Sequence, residues 1–153
     1  MYSTHQRRRE CASIVEWAAN DNYTHAITLN TDRELSLPRL KDVCSTFCHE
    51  LDRAVYGKRN MRRFPVDLRM RAIFFPENLS TNAHLHGVVD FSPAMQVFGN
   101  DTTMALQVER AWLKATRGAG SVLINPRPDS GWIEYCTKRY DGSYFFAVDF
   151  HPL

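Results

Sequence analysis

Two short patterns in this chain have the residue types and spacing to do chemistry together. The first is Ala83-His84-Leu85-His86-Gly87-Val88-Val89-Asp90. Read as a strand, it sends the imidazoles of His84 and His86 to one face, while Leu85 and Val89 enter the other. Two rings at that spacing can grip one metal ion. The ordinary alternative is a pair of partly exposed strand histidines, and a His-x-His pair alone arises by chance in about one such chain in four or five. The second pattern is Tyr135-Cys136-Thr137-Lys138. On a helix, residues three apart are surface neighbours. Ile133, Cys136 and Tyr140 make that helix's apolar stripe, with Trp132 beside it. At about 100° per residue, Tyr135 and Lys138 point away from the stripe together. An ammonium beside a phenol favours phenolate and can also hold a phosphate. Both patterns, in this order and separated by a helix and a strand, should coincide in only about one or two chains per hundred.

The elements that must position these residues follow from hydrophobic period. Tyr23 to Asn30 is β-branched and reads as a strand. Ser36 and Pro38 open a helix whose apolar positions Leu37, Leu40, Val43, Cys44, Phe47, Leu51 and Ala54 keep the helical period to a stop near Gly57. Arg69 to Phe75 and Ala83 to Phe91 read as strands, joined as a hairpin by the turn formers Pro76 to Asn82. Asp101 or Thr102 can cap a second long helix carrying Met104, Val108, Ala111, Trp112 and Ala115. Ser121 to Asn125 is a short strand. Pro128 to about Tyr140 is a third helix, and Ser143 to Phe150 a closing strand. The order is β-α-β-β-α-β-α-β, with residues 10 to 19 adding a possible short N-terminal helix. The expectation is an α+β fold: a five-stranded, mostly antiparallel sheet with helices packed on it.

Composition bounds the function classes. A chain of 153 residues is one domain, with residues 1–22 as an N-terminal extension. The hydrophobic fraction of 44% and charged fraction of 24% are ordinary for a globular protein, which excludes disordered and coiled-coil classes. No apolar run reaches the ~18 residues of a membrane helix, and nothing behind Arg7-Arg8-Arg9 reads as a secretory signal. Four unpatterned cysteines fit reduced thiols and a cytoplasmic protein. Cys44, Cys48 and His49 match no closed zinc site, so core cysteine is the reading there. Net charge is only +2, yet 15 Arg stand against 4 Lys, and Arg59, Arg62, Arg63, Arg69 and Arg71 cluster. Such a stripe suits a groove that tracks a phosphate backbone, or else is a solvated face.

With these residues in hand, the chain resembles the His-hydrophobe-His (HUH) endonuclease superfamily, and within it the rolling-circle replication initiators. His25 to Asn30 is similar to that family's first motif, His84-Leu85-His86 to its metal motif, and Tyr135 to Lys138 to its nucleophile motif in the single-tyrosine form. The resemblance spans about residues 23 to 150. It implies metal-dependent nicking and joining of single-stranded DNA, with Tyr135 attacking a phosphodiester to leave a 3′-hydroxyl and a 5′-phosphotyrosine. It further implies a divalent ion, Mn²⁺ or Mg²⁺, on His84 and His86, and Lys138 placing phosphate or stabilising charge in the transition state. A third ligand would come from the neighbouring strand or hairpin. Glu77 is the choice, a solvated turn residue being its ordinary alternative, and Asp90 is the substitute. Thr28, Asn30, Arg69, Arg71 and Arg139 are the expected DNA contacts. The implied partner is single-stranded DNA or a DNA hairpin at an origin.

Two departures from the family pattern matter. Tyr140 lies five residues after Tyr135, not four, which favours a single nucleophile. No Gly-Lys-Ser/Thr phosphate loop is present, so the chain would borrow a host helicase or be the nuclease part of something longer. Within the superfamily, a transposase or relaxase is the alternative. Compact transposases take a ligand four residues past the tyrosine, where this chain has Arg139, and relaxases use a third histidine, for which His25 is the strand candidate. Outside it stands a non-catalytic RNA-recognition-like module, whose aromatic signature no segment matches.

Overall fold

A computed structural model describes residues 3–57, 70–138 and 146–148. Its elements in chain order are α1 (Thr4–Ala19), β1 (His25–Asn30), α2 (Leu37–Tyr56), β2 (Ala72–Glu77) and β3 (His84–Val89). They continue with α3 (Ser92–Phe98), α4 (Asp101–Ala115), β4 (Ser121–Pro126), α5 (Ser130–Cys136) and β5 (Phe146–Val148). The strands form one sheet in the order β4-β1-β3-β2-β5, and every described pairing is antiparallel. Four strands have six residues each, and the three-residue β5 pairs with the outer edge of β2. The α+β class with an antiparallel sheet is as expected.

Alternation along the central strands feeds two cores. Ile27, Leu29, Ala72, Phe74, Leu85 and Val89 leave one face and are covered by α2, α3 and α4. There Phe47 of α2 meets Phe74 and Trp112 edge-on, at centroid distances of 6.5 and 5.6 Å. Ile73, Phe75 and Val88 leave the other face and are covered by Ile14 and Ala18 of α1 with Ile133 and Cys136 of α5. Helix α1 is therefore part of the second core, and it starts at Thr4 rather than near residue 10. Within the expected N-terminal extension, Ile14 and Ala18 thus give apolar cover to the face that carries the histidines.

Other boundaries moved for identifiable reasons. Strand β2 runs from Ala72 through Glu77, so Pro76 and Glu77 belong to the strand and not to the turn. The reversal is made by Asn78 in the left-handed region (φ 51°), whose carbonyl accepts from the amides of Thr81 and Asn82 at 3.1 and 3.0 Å. Helix α3 was not expected; Asp90 Oδ1 accepts from Ser92 N at 3.0 Å and Pro93 sits in the first turn, a local start signal for a helix. Asn100, rather than Asp101 or Thr102, caps α4, with Oδ1 accepting from Thr103 N at 2.8 Å. The strand expected from Tyr23 begins at His25. The expected third helix ends at Cys136 among the described residues. Tyr140 and the clustered Arg59, Arg62 and Arg63 lie outside them. Cys44 and Cys48 are core residues as expected, and no described helix is long and apolar enough to cross a membrane.

Candidate metal centre beside a tyrosine

Register places the cluster. In the β2–β3 hairpin Glu77 pairs with His84, and in the β1–β3 pair Thr28 faces His86 and Asn30 faces His84. Cross-strand partners share a face, so these five side chains rise from one side of the sheet at one end of its central strands. Gly87 allows the strands to approach: a Cβ there would collide with the Ile73 carbonyl and the Phe74 ring.

Three donor atoms converge. His84 Nε2 and His86 Nε2 are 3.2 Å apart, and Glu77 Oε2 lies 3.1 and 3.3 Å from them. Glu77 and His86 are 5% and 7% exposed, so this is no solvated turn carboxylate. The far nitrogens are occupied. His84 Nδ1 is 2.9 Å from the Asn82 carbonyl, a pure acceptor, so Nδ1 carries a hydrogen and Nε2 is the nitrogen free to ligate in the neutral ring. His86 Nδ1 is 3.0 Å from Thr28 Oγ1, which can accept in the same way. Burial, then the neighbouring His84, hold the pKa of His86 below its ordinary value despite the Glu77 carboxylate, which favours the neutral ring a ligand must be.

Neutral imidazole lone pairs and a carboxylate aimed at one point repel unless a proton or cation sits among them. Donors 2.0–2.2 Å from one divalent ion, at angles between right and tetrahedral, are about 2.8–3.6 Å apart, and the three observed separations fall inside that range. The group Glu77, His84 and His86 can thus hold a metal ion, and it is the one such cluster among the described residues. Two buried amide oxygens flank it, Asn30 Oδ1 and Asn82 Oδ1, each without a hydrogen-bond partner among the described residues.

Helix α5 brings up the tyrosine. Asp129 caps it through a 2.8 Å bond from Trp132 N, and the Trp132 indole N–H donates to the Gly87 carbonyl at 2.8 Å, tying the helix to β3. Tyr135 is 45% exposed, its ring edge-on to His86 at 5.3 Å and stacked on Trp132 at 5.5 Å. Lys138, in the turn that ends the helix, lies 3.5 Å from the Tyr135 ring centroid, and its Nζ is 3.4 Å from Glu77 Oε1. Partial desolvation pulls the Lys138 ammonium down, but Tyr135 and the Glu77 charge outweigh it and raise its pKa above the ordinary lysine value. The two oxygens of Glu77 thereby divide between the histidines and the lysine. Beneath them Cys136 is inert, its thiol pushed up to about 12 by burial and by Glu77.

Of the expected site residues, Glu77, His84, His86, Tyr135 and Lys138 come together, with Thr28 and Asn30 alongside. Thr28 lies on the site face, and its hydroxyl is engaged by His86. Arg71 lies apart from the cluster: at the opposite end of the hairpin it pairs with Asp21 at 2.9 Å and Asp90 at 3.9 Å, and lies over the Tyr23 ring. The same pairing, with its bond to Ser92 N, removes Asp90 as a substitute ligand. His25 is held by Asp101 at 3.2 Å, also at that far end. Arg69 and Arg139 lie outside the described residues. Three participants were missed. Trp132, between His86 and Tyr135, was read only as flanking an apolar stripe. Arg7, whose guanidinium donates to the Lys138 carbonyl, and the Asn82 carbonyl act through contacts with no local pattern. Comparison with known proteins adds no relative: no family model, curated protein or solved structure matches this chain.

Proposed function

We propose that this protein is a metal-dependent single-stranded DNA nickase and ligase of the HUH type, acting in the cytoplasm on an origin-like strand or hairpin and relying on a separate helicase. One observation carries the reading: three metal-type donors within 3.3 Å of one another, with a half-exposed tyrosine packed against one of them and a lysine joining the two groups.

Glu77, His84 and His86 would hold Mn²⁺ or Mg²⁺, whose contribution when bound is Lewis-acid polarisation of the scissile phosphate. Thr28 and the Asn82 carbonyl keep the imidazoles turned inward. Lys138, charged at neutral pH, draws a phosphate oxygen toward Tyr135 and offsets negative charge as the bond order changes. The Tyr135 hydroxyl gives up its proton to solvent and its oxygen bonds to phosphorus. The phosphorus–O3′ bond breaks, and the departing oxygen takes a proton to become a 3′-hydroxyl. Reversal with a 3′-hydroxyl rejoins the strand, because the phosphotyrosine conserves the bond energy.

The test is incubation of end-labelled single-stranded DNA with the protein and Mn²⁺, followed by denaturing electrophoresis. A covalent protein–DNA band is expected, absent in Tyr135→Phe and after chelation, and absent in His84→Ala while DNA affinity persists. DNA binding with no covalent band under any metal would overturn the proposal in favour of a binding module.

A further inference from the structure

On the other side of the sheet, the loop after β1, the first half of α2 and the end of α4 border an open cleft of about 530 Å³. Arg33, Arg39, Lys114 and Arg117 line it against a single carboxylate, Asp42, and Leu35 and Val43 form an apolar part of its wall. Lys114 has an ordinary explanation, a 2.6 Å ion pair with Glu50. The arginines do not. Arg39 stands in the first turn of α2, where the helix dipole favours an anion, and that turn has no acidic residue. Arg117 follows α4 in the left-handed region (φ 58°), a position where glycine or asparagine is at ease. Neither Arg39 nor Arg117 has an ion-pair or side-chain hydrogen-bond partner among the described residues. Arg33 spends one N–H on the Thr116 carbonyl at 3.2 Å and stays exposed. Residues placed against local preference, with their cations unpaired around one hollow, are the pattern expected of a binding site rather than of a stabilising one.

The hollow is mechanically joined to the metal cluster. Thr31 N donates to the Ala83 carbonyl at 3.1 Å, and Ala83 N donates to the Arg33 carbonyl at 2.8 Å, one residue before His84. We infer that this cleft binds phosphate groups of the DNA strand as it continues past the metal cluster, Arg33, Arg39 and Arg117 contacting the backbone while Leu35 and Val43 meet the sugar–base side. This rests on the nickase reading for its choice of ligand. The guanidinium fork matches phosphate geometry, and the cleft has room for a nucleotide but no aromatic platform for a stack of bases.

The experiment compares the wild type with Arg39→Glu/Arg117→Glu in the full chain, by fluorescence anisotropy of a labelled single-stranded oligonucleotide across a salt series. Two lost phosphate contacts should lower the slope of log affinity against log salt by about 1.4, with at least a tenfold loss of affinity at low salt. Arg39→Gln/Arg117→Gln, which keeps side-chain size, should give a smaller loss in the same direction. Mn²⁺ affinity, measured by calorimetry, should be unchanged in both. An unaltered slope and affinity overturn the inference, as does saturable binding of inorganic phosphate to the wild type, lost in the variant, that leaves oligonucleotide affinity unchanged at constant ionic strength, which marks a free-phosphate pocket. The slope lost in the variant, with no covalent band ever formed at Tyr135, upholds the cleft and removes the nickase. A covalent band with an unchanged slope does the reverse.

Discussion

Thr28→Val isolates how a single hydroxyl prepares the metal centre. Thr28 Oγ1 lies 3.0 Å from His86 Nδ1, and the substitution removes that oxygen while leaving a strand-favouring side chain in place. Losing such an outer partner typically weakens metal binding ten- to a hundredfold, or about 1.4–2.8 kcal/mol. The apo protein should lose about 1 kcal/mol from the broken hydrogen bond, so the metal-dependent increment is the informative quantity. With Mn²⁺ at a hundred times the wild-type dissociation constant, linkage stabilises the wild type by about 2.7 kcal/mol. The variant at that concentration should gain only about 0.4–1.4 kcal/mol. For a chain of this size the difference makes the Mn²⁺-induced rise in melting temperature about 3–9 °C smaller. Differential scanning calorimetry of both proteins, with and without Mn²⁺, gives all four values, and titration calorimetry gives the affinities directly. Equal Mn²⁺ increments in the two proteins would refute the idea that Thr28 orients His86 as a ligand.

Two further outcomes test the scaffold. Glu50 carries a pKa below its ordinary value: partial burial raises it, but Lys114 and Arg53 more than compensate. Its contribution to stability is therefore full above the unfolded pKa of about 4.3 and is lost as pH falls through the lower folded value. Because Lys114 is 60% exposed, less than about 1 kcal/mol is at stake, and Glu50→Gln should show a flatter fall in urea midpoint between neutral and acid pH; parallel curves would contradict the assignment. Gly87→Ala should destabilise by about 1–3 kcal/mol, since a Cβ there meets the Ile73 carbonyl and the Phe74 ring. A urea midpoint within error of the wild type would mean that the β2–β3 approach is looser than described.

What could be read from residue order was the part governed by neighbours in the chain. Period-two alternation put His84 and His86 on one face of β3, and helical period separated Tyr135 from Ile133 and Cys136. The Ser36 cap and Gly57 stop bounded α2, because caps and turns are chemistry of a few adjacent residues. Helix α3 was legible in Ser92-Pro93 and was overlooked. Glu77's place across the hairpin from His84 was legible once the resemblance pointed to a third ligand there, although the strand's true end, and hence the burial of that carboxylate, depended on Asn78 making the turn.

The remainder is long-range. Thr28 reaches His86 only because β1 pairs with β3 in one register, and Trp132 reaches both His86 and Tyr135 only because its indole bonds to the Gly87 carbonyl. Arg71 illustrates the same point: it was read with a cluster of arginines, and the fold sets it between Asp21 and Asp90, 50 and 19 positions away in sequence. Sequence alone determined which groups can ligate or attack and the face each leaves. Tertiary structure alone decided which of them share a few ångströms, because strand register and helix docking are set by burying two cores and not by local preference.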